Sequence, residues 1–421
     1  MSSEISWAGY QYSIRLLYTI FGSRAMRRLL TTFFCPRIFI GLPAFGQLLG
    51  TLAPARPKKR AFIVTDKPIR RIAENLVPMF QQFGFTVEIC DKAEPEPPIP
   101  VVDEIAEDMR KFEPDLIVAV GGGSAMDAAK AAWVRYEKPD LDIGSITVLV
   151  PIGVREKALL MAIPTTAGTG SEATFAFVLT DTSKTPPRKV AAGHTELVPD
   201  FAVLLPELTA GMPRELTIGT GLDVLAHAFE AFTNRQWAND LTDALAVKAM
   251  KMVFRYLPIV AEDLGNMEAR YHMQLAATMA GLAFSNGGAA LTHSLGHALG
   301  KIFKVHHGKS VGIFIPYVLK YASRVTDAYV ELAQEFGIEA KSKEEYEDKL
   351  MNMFTDFLKG LGVSIALKDL GISRSDFEKE LDNLAKYAWE DPTVVFSVRP
   401  TSLGELRRIF EYAYEGKTID W

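Results

Sequence analysis

From Lys59 onward, short apolar runs alternate with stretches of helical period. KKRAFIVTDK predicts a buried strand, Ile69–Phe83 a helix and Phe85–Cys90 a second strand, and Leu116–Val120 predicts the strand of the next unit. Parallel strands need a long crossover connection, usually a helix, so this alternation favours an α/β domain with a parallel sheet and helices on both faces. In such domains ligands bind at the carboxyl ends of the strands. The turns that follow the strands are therefore where a binding site is expected.

The first informative turn is VAVGGGSAMDAAKAAW, a strand followed by three glycines and a helix. Gly121, Gly122 and Gly123 leave room for a pyrophosphate to approach the backbone, and Ser124 is suited to cap a helix whose N-terminus attracts anions. The motif is neither GxGxxG nor the GK[ST] of a P-loop. By itself it distinguishes only weakly between a phosphate site and an ordinary tight turn.

A second turn, MAIPTTAGTGSEATFAF, is rich in hydroxyl groups and small residues. After Pro164 its side chains and backbone amides are suited to line a nucleotide, and Glu172 opens the following segment. One such loop is compatible with a plain connection, but two in the same sheet domain favour a cofactor crevice. Its hydroxyl residues are Thr165, Thr166, Thr169 and Ser171.

Asp66 ends the first predicted strand of this sheet. A carboxylate at such a position accepts hydrogen bonds from ribose hydroxyls and repels a 2′-phosphate, which favours NAD over NADP. The alternative is an ordinary turn aspartate that contacts no ligand.

The sequence changes character near Met212, where a proline-punctuated crossover gives way to helical periods with little strand signal. We predict three regions: a basic N-terminal extension at residues 1–35, an α/β domain at residues 36–211 and an all-α domain at residues 212–421. The clearest helical periods lie at Gly219–Asn234, Asp240–Asp263, Met267–Phe284 and Leu291–Phe303.

Metal-ligand spacing occurs twice in the helical half. Asp223 and His227 are four residues apart, as are His293 and His297, so each pair shares one face of a helix. One carboxylate with two or three imidazoles suits Fe, Zn, Co or Ni better than Mg or Ca. A single histidine on an apolar helix is more often structural, but a buried aspartate needs a compensating charge, which a cation supplies.

Two further histidines, His306 and His307, precede Gly308, at which the backbone can turn sharply. The spacing alone does not decide whether His306 or His307 binds a metal. It leaves the same choice open between His293 and His297.

The amino-acid composition limits the classes of protein to which this chain can belong. The 421 residues are 48% hydrophobic and 23% charged, as in ordinary globular chains, and the net charge of −5 argues against a dedicated nucleic-acid-binding protein. The expected partner is a small molecule. Cys35 and Cys90 form neither a disulfide framework nor a thiolate metal site, which fits a reducing cytoplasmic location. No apolar run reaches the roughly 20 residues of a membrane span.

The first 65 residues are basic, since no acidic residue occurs between Glu4 and Asp66. Within them, Tyr10–Phe34 has apolar residues at helical spacing, which predicts a basic amphipathic helix. Three interpretations stay open: packing on the body of the protein or on a partner subunit, contact with an anionic membrane surface, or an organellar targeting presequence.

Taken together, the motifs GGGSAMDAAK, IPTTAGTGSEAT, GLDVLAHAFEAF and LTHSLGHALG with HHG resemble those of the iron-containing, or group III, alcohol dehydrogenases. The resemblance extends from IGLPAFGQL, beginning near Ile38, to the C-terminal DNLAKYAWEDPTVVFSVRPTSLGELRRIF. It implies a Rossmann-like N-terminal domain, a helical C-terminal domain and reversible oxidation of an alcohol by NAD(P). Two departures from the family pattern occur: VRP replaces the more frequent NPR, and Tyr321 follows Lys320 where asparagine is common.

The resemblance also implies roles for individual residues. His297 matches a histidine beside the metal that is usually not a ligand, and we predict a catalytic role for it. Asp66 falls where the family carries an aspartate associated with NAD preference, and Lys189 matches a lysine near the ribose. The implied metal ligands are Asp223, His227, His293 and His307, and the implied cofactor-binding residues are Gly122, Gly123, Ser124, Asp127, Thr165, Thr166 and Thr169.

We therefore predict a metal-dependent alcohol dehydrogenase or aldehyde reductase that uses NAD, with NADP less favoured, and Fe(II) or Zn(II). Its expected substrate is a small alcohol or aldehyde and its expected state a homo-oligomer, a dimer or larger. Alternatives are a hydroxyacid–oxoacid transhydrogenase and a dehydroquinate-synthase-like lyase, although the full ligand pattern argues against the lyase. A further alternative is a membrane-associated or filament-building protein with a vestigial site, in which residues 1–34 would make the contact.

Overall fold

The computed structural model describes residues 33–147, 150–183, 188–234 and 238–421. The predicted basic helix at Tyr10–Phe34 lies outside these residues except for its last two positions, so the roles predicted for residues 1–34 stay predictions. None of the helices in the described part of the chain is long and apolar enough to cross a membrane.

Two compact units make up the described chain. The α/β unit comprises Phe34–Met212 together with Arg270–Gly281, and the helical unit comprises Pro213–Ala269 together with Leu282–Trp421. The second segment of the α/β unit is the middle of a long helix whose two ends belong to the helical unit.

A six-stranded parallel sheet forms the centre of the α/β unit, with the strand order β1-β8-β5-β4-β2-β3, and β6 and β7 form a separate antiparallel hairpin. The strands are β1 (Arg37–Ile40), β2 (Arg60–Asp66), β3 (Thr86–Ala93), β4 (Leu116–Gly121), β5 (Leu159–Pro164), β6 (Ala176–Asp181), β7 (Arg188–Gly193) and β8 (Phe201–Leu204). The helices are α1 (Leu42–Ala55), α2 (Arg70–Gln82), α3 (Ile99–Phe112) and α4 (Gly123–Glu137), with short 3₁₀ turns at Lys67–Ile69, Ile143–Ser145, Ser171–Ala173, Thr195–Leu197 and Pro206–Thr209.

Apolar side chains cover both faces of the sheet. In β4, whose sequence LIVAVG is buried throughout, Ile117 and Ala119 join one hydrophobic cluster while Val118 and Val120 join the other. This alternation follows from the two-residue period of a strand, and the uninterrupted apolar run is typical of a parallel strand buried on both faces.

The register of the sheet places the predicted turns at one edge. Gly121 at the end of β4 pairs with Pro164 at the end of β5, and β2 is the neighbour of β4 on its other side. The glycine turn, the threonine-rich loop and Asp66 therefore all follow the carboxyl ends of adjacent strands.

The helical unit is organised around α5, which is buried along nearly its whole length. A helix that is apolar on all sides can be stable only inside a core. The helices are α5 (Arg214–Thr233), α6 (Asp240–Glu262), α7 (Met267–Gly287), α8 (Leu291–Phe303), α9 (His307–Ile313), α10 (Ile315–Ala322), α11 (Ala328–Glu335), α12 (Lys343–Gly360), α13 (Arg374–Glu390) and α14 (Leu403–Glu415), with 3₁₀ turns at Leu367–Leu370 and Pro392–Phe396. The predicted fold class, an α/β domain with a parallel sheet followed by a helical domain, is confirmed.

Candidate active site

Three helices of the helical unit bring the predicted metal ligands together. Asp223 and His227 lie on α5, His293 is near the start of α8, and His307 is the first residue of α9. Helix α9 can begin against α5 because residue 308 is glycine: a Cβ there would overlap the carbonyl oxygen of Gly219 and the Cβ of Asp223. Close backbone contact thus delivers the His307 ring to Asp223.

The distances define a compact cluster of Asp223, His293 and His307, with His227 beside it. Oδ1 of Asp223 lies 3.2 Å from Nε2 of His307, 3.7 Å from Nδ1 of His227 and 3.8 Å from Nε2 of His293. Ligand atoms of Asp223, His293 and His307 all lie within 4.8 Å of one another. The His227 ring stacks between His293, at 4.5 Å between centroids, and Phe284, at 4.0 Å.

The donor set fits a divalent cation. Oδ1 of Asp223, Nδ1 of His227 and Nε2 of His293 are buried and make no hydrogen bond to the described part of the chain. Buried polar atoms without partners cost free energy, and a cation bound between them removes that cost. One carboxylate oxygen with imidazole nitrogens is a donor set typical of zinc and of ferrous iron.

Electrostatics at the cluster also favour positive charge. Burial raises the pKa of Asp223, but its attraction to His227 and His307 holds that pKa well below the ordinary value. Burial lowers the pKa of His227 to about 3, so this ring is neutral, as a metal ligand must be. Burial opposes the charged form of His293 as well, yet Glu230 and Asp223 raise its pKa to about 10.

Glu230 is a residue of this site that the sequence analysis missed. It is buried on α5, one oxygen lies 2.6 Å from Nδ1 of His293, and the carboxylate accepts hydrogen bonds from the backbone N–H groups of Ala290 and Thr292. Helix α8 has no side-chain cap of its own, so Glu230 both caps it and fixes the His293 ring. Its spacing of seven residues from Asp223 on an apolar helix was the available signal.

His297 lies beside the cluster and has a carboxylate partner of its own. Its ring stacks on that of His307 at 5.1 Å between centroids, and its Nδ1 lies 2.7 Å from Oδ2 of Asp391. Asp391, which the sequence analysis also missed, follows the end of α13. His306 is the N-cap of α9 and faces Gly219, so the structure brings His307 rather than His306 to Asp223.

In the α/β unit the two predicted nucleotide loops pack on each other. A Cβ on Gly123 would overlap the side chain of Thr169, and a Cβ on Gly122 would lie 3.3 Å from Thr166. The expectation that Ser124 caps α4 is wrong: the helix begins at Gly123, its N-cap is Gly122, and no side chain caps it. The earlier start puts Ser124 inside the first turn, where the backbone N–H groups are oriented toward an anion.

Asp127 accepts hydrogen bonds from within the protein. Its two oxygens accept from the Ser171 hydroxyl and from the Val178 N–H group, both at 3.0 Å. One turn later, the buried ammonium of Lys130 donates to oxygens of Ser171, Thr174 and Ala176 at 2.8–3.2 Å. Both residues therefore hold the end of the threonine-rich loop on α4, and Lys130 is a further residue that the sequence analysis missed.

The other predicted cofactor residues lie near the same edge of the sheet or on the hairpin. Asp66 is half-buried and accepts a hydrogen bond from the Ile69 N–H group, and burial raises its pKa. Thr165 is buried and donates its N–H group to the carbonyl of Gly121. Lys189 on β7 lies 3.0 Å from a carboxylate oxygen of Glu96.

Comparison with known proteins identifies the family of the chain. Residues 35–206 match the model of the iron-containing alcohol dehydrogenases, and residues 217–414 match the model of the C-terminal domain of that family. The chain belongs to the iron-containing alcohol dehydrogenase family. The predicted family and the predicted activity, an NAD(P)-dependent alcohol dehydrogenase, are thereby confirmed.

Three relatives illustrate the likeness. The NADPH-dependent butanol dehydrogenase of Clostridium saccharobutylicum is 34% identical over 378 residues, which cover 89% of this chain and 96% of that protein. The NAD-dependent methanol dehydrogenase of Bacillus methanolicus is 31% identical over 392 residues, covering 91% and 100%. The crystal structure of the iron-containing alcohol dehydrogenase of Thermococcus thioreducens superposes with a TM-score of 0.82 at 30% identity, covering 92% of this chain and 100% of that one.

Proposed function

We propose that this alcohol dehydrogenase interconverts a small alcohol and its aldehyde with NAD, and that Asp223, His227, His293 and His307 hold the metal ion, Fe(II) or Zn(II). The observation that carries the proposal is the convergence of three buried ligand-type atoms, Oδ1 of Asp223, Nδ1 of His227 and Nε2 of His293, none of which makes a hydrogen bond within the described chain. A structural cluster would pair these atoms with each other or with neighbours.

When bound, the cation would supply Lewis acidity toward the alcohol oxygen, and NAD would supply the hydride acceptor. The chain's own contribution is positioning. Glu230 fixes the ring orientation of His293 through a 2.6 Å contact to Nδ1, which leaves Nε2 for the cluster. Gly308 lets the start of α9 pack against the backbone of α5, and this contact holds His307 in position.

His297 is the residue we propose for proton transfer. Its ring stacks on that of His307, and 37% of its side chain is exposed, so it adjoins both the cluster and solvent. A histidine so placed takes the hydroxyl proton of the substrate during oxidation and returns it during reduction.

For the nucleotide, we propose that the N-terminus of α4, with Gly122, Gly123 and Ser124, receives the phosphates. Thr165, Thr166 and Thr169 would line the adjoining part of the cofactor. Asp66 follows β2, where a carboxylate accepts from the ribose hydroxyls and repels a 2′-phosphate, so we propose that NAD is preferred. Lys189 would reach the ribose by leaving Glu96.

Metal binding by matched histidine variants tests the ligand assignment. His306 and His307 are neighbours of the same type, but of the two only His307 has a ring nitrogen in ion-pair contact with Asp223, at 3.2 Å. We expect His307→Ala to weaken Zn(II) binding by about 100-fold or more, because a ligand is lost, while His306→Ala binds as the parent does. Metal content and affinity, measured by chelator competition, decide this. Equal affinities for the two variants, or the reverse order, would contradict the assignment.

Two remaining parts of the proposal concern turnover and assembly. A transhydrogenase recycles bound cofactor, so stoichiometric consumption of free NADH with an aldehyde separates it from the dehydrogenase. We also propose a homo-oligomer, a dimer or larger. Analytical ultracentrifugation of the full chain tests this, and the same measurement on a chain without residues 1–34 tests whether that segment contributes to assembly.

A further inference from the structure

We propose that Asp391 is a positioning residue that fixes the tautomer and ring orientation of His297. The inference rests on the proposed function of His297 in proton transfer and extends it to a residue 94 positions away in the sequence. Within the described chain, the hydrogen bonds of the Asp391 carboxylate go to His297 and Thr393 and to no proposed metal ligand, so Asp391 acts through His297.

The carboxylate of Asp391 is held from both sides. Oδ2 lies 2.7 Å from Nδ1 of His297, while Oδ1 accepts hydrogen bonds from the N–H group of Thr393 at 2.9 Å and from its hydroxyl at 2.6 Å. The side chain of Asp391 is only 14% exposed. A carboxylate clamped by Thr393 cannot rotate freely, so its second oxygen has a fixed direction toward His297.

This geometry selects one tautomer of the imidazole. An ionised carboxylate is only an acceptor, so Nδ1 of His297 must carry the hydrogen and Nε2 keeps its lone pair. The same ring is stacked on His307, which limits its tilt. Nε2 of His297 is therefore the nitrogen that accepts the substrate proton, and its direction is set before substrate arrives.

The contact between Asp391 and His297 is not needed to hold α13 against α8. One turn later on α8 and one turn earlier on α13, the ammonium of Lys301 lies 3.6 Å from the centre of the Tyr387 ring. Residues 297 and 301 on α8 thus face residues 391 and 387 at the end of α13. Loss of the Asp391 carboxylate should leave this helix pair together, and Tyr387→Leu offers a control that weakens the same interface without touching His297.

The test compares Asp391→Asn, His297→Gln and the double variant in the zinc-loaded enzyme. We expect Asp391→Asn to lower kcat for aldehyde reduction by about 10- to 100-fold, with KM for aldehyde and NADH within about twofold and the metal content unchanged. In the double variant the loss should equal that of His297→Gln alone, because Asp391 acts through His297. Multiplied losses, a change confined to KM, or an equal loss in Tyr387→Leu would overturn the proposal.

A measurement independent of turnover uses protein labelled with ¹⁵N in the histidine rings. The His297 signal, identified by its absence in His297→Gln, should report hydrogen on Nδ1 in the parent and a mixture of tautomers in Asp391→Asn. Hydrogen on Nε2 in the parent would overturn the proposal. This spectrum decides the role of Asp391 even if the protein reduces no aldehyde, in which case the proposed function fails separately.

Discussion

Replacement of Glu230 by glutamine should weaken both the helical unit and its metal affinity. The carboxylate is about 1% exposed. Its oxygens accept hydrogen bonds from the backbone N–H groups of Ala290, Thr292 and His293 and contact Nδ1 of His293. An amide keeps only one acceptor oxygen, so whichever way it turns, its NH₂ group faces a donor. Either the backbone N–H groups of Thr292 and His293 lose their acceptor, or Ala290 N–H and His293 Nδ1 lose theirs.

The magnitude follows from the number of orphaned donors. A buried donor without a partner costs about 1–3 kcal/mol, so two of them should lower the free energy of unfolding by roughly 2–6 kcal/mol. A histidine ligand that loses its orienting carboxylate typically costs about 10- to 100-fold in metal affinity. Urea unfolding of the metal-free protein and chelator competition for Zn(II) measure the two effects separately.

Glu137 provides a matched control in the α/β unit. It is also a buried glutamate, 4% exposed, and it accepts hydrogen bonds from the N–H groups of Lys157 and Ala158. One oxygen of Glu137 accepts from both groups, so Glu137→Gln can keep an acceptor for each of them. We expect it to lose less stability than Glu230→Gln and to keep the metal affinity of the parent. Unchanged metal affinity in Glu230→Gln, or an equal drop in Glu137→Gln, would refute the reasoning.

Three further predictions concern the α/β unit. Gly281→Ala should lower the free energy of unfolding by about 1–3 kcal/mol and weaken NAD binding in a titration, because the new Cβ would overlap the backbone of Gly170 in the threonine-rich loop. Gly360→Ala is the control, since a Cβ at residue 360 would meet open space. Asp66→Ala should raise kcat/KM for NADPH relative to NADH by about 10-fold or more, and an unchanged ratio would show that this carboxylate does not select the cofactor. Burial lowers the pKa of Lys130 from 10.5 to about 8, so the unfolded chain binds more protons than the folded chain between these pH values. The free energy of unfolding should therefore rise with pH across that window, by up to about 3 kcal/mol. Urea unfolding of Lys130→Met should lack this part of the rise.

The convergence of Asp223, His227 and His293 was largely predictable because helical periodicity carries it. Asp223 and His227 share a face of α5, and His293 follows the same spacing rule with His297. The choice between His306 and His307 was not predictable from spacing, because it depends on the contact of Gly308 with Gly219, which lies in a different helix. Only the family resemblance indicated His307 in advance.

Glu230 and Asp391 show what the sequence could not reveal. Glu230 contacts His293 across 63 positions and Asp391 contacts His297 across 94, and neither contact has a local signature. Asp127 was predicted as a cofactor residue, and both of its oxygens accept hydrogen bonds from protein donors, a structural role that its motif did not indicate; its contact with the cofactor stays a prediction. Hydrogen-bond partners depend on tertiary packing, which a motif does not specify.

The departures from the family pattern have a structural explanation. The guanidinium of Arg399, in the VRP motif, lies 4.0 Å from the centre of the Tyr321 ring, and the Tyr321 hydroxyl donates to the carbonyl of Pro400 at 3.0 Å. The Trp421 ring packs edge-on against Tyr321 at 5.6 Å. The two unusual positions therefore contact each other.

The most direct test of the central claim is aldehyde-dependent oxidation of NADH by protein stripped with a chelator and then reconstituted anaerobically with Fe(II) or Zn(II). We expect no turnover in the stripped protein, restored turnover with at least one of the two metals, and a preference for small aldehydes within a panel of increasing chain length. Full turnover in the stripped protein, or none with either metal despite measured NAD and metal binding, would contradict the account.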